Sequence, residues 1–157
     1  MINESRTLSV RLAVDNEGLL TITVTNTRNV PITFGTFHPD EELIIHKGDV
    51  YAIYFISGRI NRDRLRVSLT GGDSHIEKIQ LKKSFLFPEA GKYKGAIVFE
   101  TEIMAEGENS YYEKVFSNDI ELDILENEVR KPTPLVVDRQ KFLKAVKDLN
   151  KPWWKFW

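Results

Sequence analysis

Leu8-Ser9-Val10-Arg11-Leu12-Ala13-Val14, followed by Asp15-Asn16-Glu17-Gly18 and Leu19-Leu20-Thr21-Ile22-Thr23-Val24-Thr25, is the most regular stretch of the chain. Leu8, Val10, Leu12 and Val14 recur at every second position, and Leu20, Ile22 and Val24 do the same against Thr21, Thr23 and Thr25. A period of two places each apolar set on one face of an extended strand. The cluster between them is a turn, because Gly tolerates positive φ and Asp and Asn cap their own backbone. The stretch therefore predicts an antiparallel hairpin with one buried face.

The same grammar continues outward. After a turn at residues 26–29, Val30, Ile32 and Phe34 alternate, with Pro31 suited to a strand start or an edge. A short apolar run at Leu43-Ile44-Ile45 is broken by Lys47-Gly48-Asp49. Residues 50–56 (VYAIYFI) are apolar on both faces, the pattern of a central strand or of one covered on its second side. Leu65, Val67 and Leu69 alternate up to Gly71-Gly72, and residues 76–81 give a weaker strand. Beyond a Pro-Gly turn at residues 88–91, a long strand runs to about Met104, and residues 111–125 return after the turn Glu106-Gly107-Glu108-Asn109. No helix is read in this succession, which predicts an all-β antiparallel sandwich of about seven to nine strands over residues 1–125.

Three stretches carry a resemblance: Thr21-Ile22-Thr23-Val24-Thr25-Asn26-Thr27 followed by Val30-Pro31-Ile32, then Phe87-Pro88-Glu89-Ala90-Gly91-Lys92-Tyr93, and the closing Val115-Phe116-Ser117-Asn118-Asp119-Ile120-Glu121-Leu122. Residues 19–125 resemble the immunoglobulin-like or fibronectin-like β-sandwiches common in bacterial proteins. The resemblance implies that the hydroxyl of Tyr93, near the start of the penultimate strand, ties the chain at that corner. It implies no particular activity, because the architecture hosts many unrelated functions. The Cys pair of many such domains is missing, as is a Trp within the stretch.

With 157 residues, 41% hydrophobic and 29% charged, the composition is that of one folded domain and excludes collagen-like or wholly disordered classes. There is no Cys, which removes disulfides and thiolate chemistry. A net charge of -1 and a pI near 6.3 supply no global basic field, and no nucleic-acid partner is expected. The average conceals a split. Residues 1–125 carry 14 basic and 19 acidic residues, a net of -5, whereas residues 126–157 carry 8 and 4, a net of +4. Asymmetry of this kind marks an attached segment with its own role, or one that folds back on an oppositely charged body. No secretory leader is read at residues 1–10, and no run reaches the ~18 apolar residues of a membrane span. A cytoplasmic location is the default expectation, and a periplasmic one fits equally if a leader has been removed.

Residues 126–137 are polar at first, contain Pro132 and Pro134, and read as a stiff linker. Asp138 suits a helix cap, and Phe142, Ala145 or Val146, and Leu149 fall on one face of a short amphipathic helix whose other face carries Arg139, Lys141, Lys144 and Lys147. Asn150 and Pro152 stop it, and the tail Trp153-Trp154-Lys155-Phe156-Trp157 follows. All three Trp of the chain lie in those five residues. Exposed indoles disfavour solubility, so the tail is expected to be buried on something. Three destinations compete: the protein's own sandwich, a partner protein or second copy in which Trp residues act as anchors, and a membrane surface. In each, Trp153, Trp154, Phe156 and Trp157, helped by Phe142 and Lys155, form an attachment device.

Other candidate sites are weaker. Arg59, Arg62, Arg64 and Arg66 are a possible anion contact, because guanidinium forks suit phosphate and carboxylate; a solvated loop with local pairing is the competing reading. His38, with Asp40, Glu41, Glu42 and His46 nearby in sequence, does not have a spacing that enforces metal binding. No nucleophile elbow, phosphate-binding Gly loop or paired-His motif occurs, and neither cofactor, metal, small-molecule substrate nor enzymatic activity is expected. Glu100, Glu102, Glu113, Asp119, Glu121 and Asp123 are read as outward acidic positions on the last strands, a solvated face or a surface for a basic segment.

Overall fold

The computed structural model describes residues 7–54 and 64–131. Within them the chain runs β1 (Leu8–Val14), β2 (Leu19–Asn26), β3 (Ile32–Gly35), α1 (Pro39–Glu42), β4 (Leu43–Lys47), β5 (Val50–Tyr51), β6 (Ile53–Tyr54), β7 (Arg66–Leu69), β8 (Ser74–Gln80), α2 (Leu81–Ser84), β9 (Phe85–Leu86), β10 (Gly91–Ala105), β11 (Tyr111–Phe116) and β12 (Ile120–Ile124). The protein is all-β, and its strand ladders are antiparallel. One sheet has the order β1-β2-β8, and a larger one is organised around β10. A two-stranded pair, β6-β9, completes the set.

The opening hairpin forms as its period requires. Leu8 pairs with Asn26 and Val14 with Leu20. Leu20, Ile22 and Val24 are buried while Thr21, Thr23 and Thr25 are half-buried. In the turn, Asp15 Oδ1 accepts from the amides of Glu17 and Leu19, and Gly18 takes a φ of 88°.

β10 organises the large sheet because its 15 residues exceed the length of any partner. Along one edge it pairs first with β12 and then with β11. Gly95 faces Ile120 and Val98 faces Phe116, so three steps on β10 meet four on the partner. The extra residue is a β-bulge at residues 117–119, where Ser117 Oγ accepts from the Ile97 amide. Along the other edge β10 pairs with β4 and then β3, and between them Thr101 Oγ1 accepts from the Gly35 amide and donates to the Gly35 carbonyl. That hydroxyl replaces a ladder rung while residues 36–42 leave the sheet and return.

Side chains of both sheets meet in one core, including Leu12, Ile22, Phe34, Ile45, Ile97 and Leu122. Tyr93 is buried in it with its ring edge-on to Phe87, centroids 5.0 Å apart. Its hydroxyl donates to the Glu89 carbonyl at 2.8 Å and accepts from the Glu89 amide at 3.2 Å. Burial pushes the Tyr93 hydroxyl pKa up, which keeps it a donor.

Several sequence expectations are corrected. Residues 50–54 are not one strand: Ala52 donates to the Ile45 carbonyl, after which the chain leaves β4 and pairs with β9. A segment crossing between sheets meets protein on more than one side, which explains its double apolar character. Two single-turn helices interrupt the strands, α1 opened by Pro39 and α2 by the Gln80 side chain accepting from the Lys82 amide. Glu113 points inward, only 9% exposed, because its neighbours Tyr111 and Val115 share the inward parity of β11. At residues 126–130, Glu128 pairs with Lys82 at 2.6 Å, Val129 packs on the core, and the Arg130 amide donates to the Phe87 carbonyl.

Candidate functional site

Of the four arginines read as an anion contact, Arg59 and Arg62 lie outside the described residues. Arg64 is held by the protein itself. Its guanidinium donates to both carboxylate oxygens of Glu42, at 2.5 and 2.7 Å, and to the Thr36 carbonyl at 3.0 Å. It also sits 5.7 Å from the centre of the Phe99 ring. Hydrogen bonding to Glu42 raises its pKa further. A fork filled this way clamps the loop after β3 onto the sheet. Gly35 lets it approach, since a Cβ there would lie 2.6 Å from the Arg64 Cβ.

Arg66 lies on β7 beside an open groove of about 510 Å³ lined also by Glu100, Glu102 and Tyr112. Its Nη1 is 3.7 Å from the Met104 sulfur. An anion entering this groove meets two carboxylates as well as Arg66, so the walls carry both signs.

The histidines do not converge on shared chemistry. The His38 amide donates to Glu42 Oε1, the His46 ring lies 5.8 Å from that of Tyr51, and His75 Nε2 is 3.7 Å from Glu77 Oε1. Among the described residues no three of His, Cys, Asp and Glu are placed to hold a metal ion.

The register of β10 instead assembles a surface that sequence reading missed. Even-numbered positions of β10 face outward. Ala96 pairs with Ile44 on β4, and Val98 pairs with Phe116 on β11. Ile44, Ala96, Val98 and Phe116 therefore form a continuous apolar band across three strands, with Ile44 and Phe116 37% and 41% exposed. Ala96 and Val98 share β10, and only cross-strand pairing adds Ile44 from β4 and Phe116 from β11.

Carboxylates border the band. Glu100 and Glu102 follow Val98 on the same face of β10, and Glu41 and Glu100 both act electrostatically on Arg64. Asp40 lies near enough to Tyr54 to add to the rise that burial causes in its hydroxyl pKa. At the other end, Lys92 meets Glu121 at 3.6 Å. The surface is thus an apolar strip whose border towards α1 is acidic only on balance, because Lys114 faces Glu100 across β11 and Arg66 lies beside Glu100 and Glu102.

Phe142, Trp153, Trp154, Lys155, Phe156 and Trp157 lie outside the described residues. Among those described, no helix is long and apolar enough to cross a membrane. Comparison of the sequence with protein-family models and with curated proteins finds no match.

Proposed function

We propose that this chain is a non-enzymatic binding module, an adaptor or inhibitor-like protein. Its body is an immunoglobulin-like or fibronectin-like sandwich, and residues 138–157 are its attachment segment to a protein partner or a second copy. Support for the body comes from the β1-β2-β8 sheet facing the β10 sheet across one core, and from the Tyr93 tie to Glu89. A parallel bridge between Val10 and Ser117 links the first strand to the last hairpin. The observation that carries the functional reading is the concentration of all three Trp in residues 153–157, while the core described above is assembled from residues 8–129. Each ring fully removed from water contributes about 2 to 3 kcal/mol, and ordering the segment subtracts from that sum.

A second reading, a peripheral membrane protein held by the same segment, is favoured by the lysines of residues 139–147 lying beside the indoles. One experiment separates the two. A photo-crosslinking residue replacing Phe156 is introduced in the full chain and activated in cells of its source. A defined polypeptide adduct, or a crosslinked second copy, supports the module. Products confined to lipid, or to the chain itself, overturn it. Co-sedimentation with anionic vesicles, lost on ending the chain at Asn150, marks the membrane alternative.

A further inference from the structure

We infer that the apolar band formed by Ile44, Ala96, Val98 and Phe116 is the resting receptor for residues 138–157 of the same chain. A partner would then have to displace the segment from this face. The inference rests on the reading of residues 138–157 as an attachment segment and adds where that segment is held when nothing else binds it.

Two observations select this occupant. The first is charge. The segment carries Arg139, Lys141, Lys144, Lys147, Lys151 and Lys155 against Asp138 and Asp148, whereas the border of the band towards α1 carries Asp40, Glu41, Glu100 and Glu102 against Lys114 and Arg66, an acidic balance. Apolar rings over the strip would bring the lysines beside these carboxylates, in a pairing that salt weakens. The border therefore suits a basic aromatic ligand and disfavours an acidic one.

The second is reach. The Arg130 amide is anchored to the Phe87 carbonyl, beside the start of β10, and 26 residues follow Lys131. From Gly91 to Val98 is seven residues of β10, roughly 23 Å at strand spacing. Residues 132–137 alone cover about 19 Å when extended, and residues 138–149 add about 18 Å as a helix. The aromatic residues reach the band without strain, and a tether this short holds them near it at millimolar effective concentration, about 10⁻³ M. A second copy would have to match that concentration in solution.

The test uses the absence of Trp from residues 1–152, so indole emission reports the segment alone. In the full chain the emission is expected to be blue-shifted and protected from acrylamide. Val98→Glu, and separately Ile44→Glu, are expected to red-shift it and abolish protection while far-UV circular dichroism stays unchanged. Ile76→Glu, at an exposed position of β8 in the other sheet, serves as control and is expected to leave emission unaltered. Light scattering is expected to give a monomer with emission independent of protein concentration.

Emission matching that of a free peptide of residues 138–157 overturns the inference. So does protection that survives both face variants. A dimer whose emission depends on concentration overturns it in favour of a second copy. The dimer would overturn this inference while supporting the attachment reading, and the other two results leave the crosslinking outcome at position 156 undecided, so the two proposals fail separately.

Discussion

Glu113 is the side chain whose replacement tests the architecture most directly. Its carboxylate accepts from the Thr7 amide at 2.9 Å and from the Leu8 amide at 3.0 Å, and so ties the start of β1 to β11 across more than a hundred residues of chain. Glu113→Ala leaves two amides without their acceptor in a site closed to water. At about 1 to 3 kcal/mol per buried unsatisfied group, the expected loss is about 2 to 6 kcal/mol. Glu113→Gln keeps one acceptor but turns an NH₂ towards a donor, and hydrogen bonds to a charged group are worth about 1.5 to 3 kcal/mol. Domain stabilities of about 5 to 15 kcal/mol make either change plain in a urea titration.

Glu121→Gln is the control: its outward carboxylate has a side chain 56% exposed, and its midpoint is expected to shift by less than about 0.5 kcal/mol equivalent. Amide exchange at Thr7 or Leu8 should accelerate in Glu113→Gln even where the global midpoint moves little, because one of the two amides then faces an NH₂. A Glu113→Gln protein with unchanged midpoint and unchanged protection of both the Thr7 and Leu8 amides would refute the placement of this carboxylate inside the fold.

Asn118→Ala should cost about 1 to 3 kcal/mol and deprotect the Leu12 amide, since the Asn118 amide group accepts from Leu12 N at 2.7 Å and donates to Leu12 O at 3.0 Å. Gly71→Ala should destabilise by about 1 to 3 kcal/mol in thermal melts, because the new Cβ would stand 2.8 Å from the Arg28 carbonyl oxygen and 2.9 Å from Asn29 backbone atoms, none of which can swing aside. Lys82 holds the Glu128 carboxyl below its ordinary value of 4.5. The stability this pair contributes is therefore present above that value and is lost as pH falls through the lower folded one; Glu128→Gln should flatten that part of a stability-against-pH curve.

The opening hairpin and the long strand from Gly91 were legible because each depends on neighbours in sequence, whereas the Tyr93 tie was expected only from the resemblance. Period two, a turn tetrapeptide and a Gly with positive φ are local properties. The outward band was not legible, because Ile44, Ala96, Val98 and Phe116 come from three strands whose pairing no short window contains. Glu113 was misplaced for a related reason: a carboxylate is normally outward, and its inward parity is tolerable only because the amides of residues 7 and 8 arrive from the far end of the chain.

By itself the sequence determined that the chain is all-β, which residues share a face within each strand, where the main turns fall, and that its indoles are gathered in one basic segment. Beyond the opening hairpin, the tertiary structure alone decided which strands meet. It closed Arg64 on Glu42, 22 residues away, moved the chain from β4 to β9 after Ala52, and joined isolated apolar positions into one surface. The reason is physical: alternation and turn conformation are set by short-range sterics, whereas partners across an edge are chosen by burial and hydrogen-bond satisfaction of the whole chain at once.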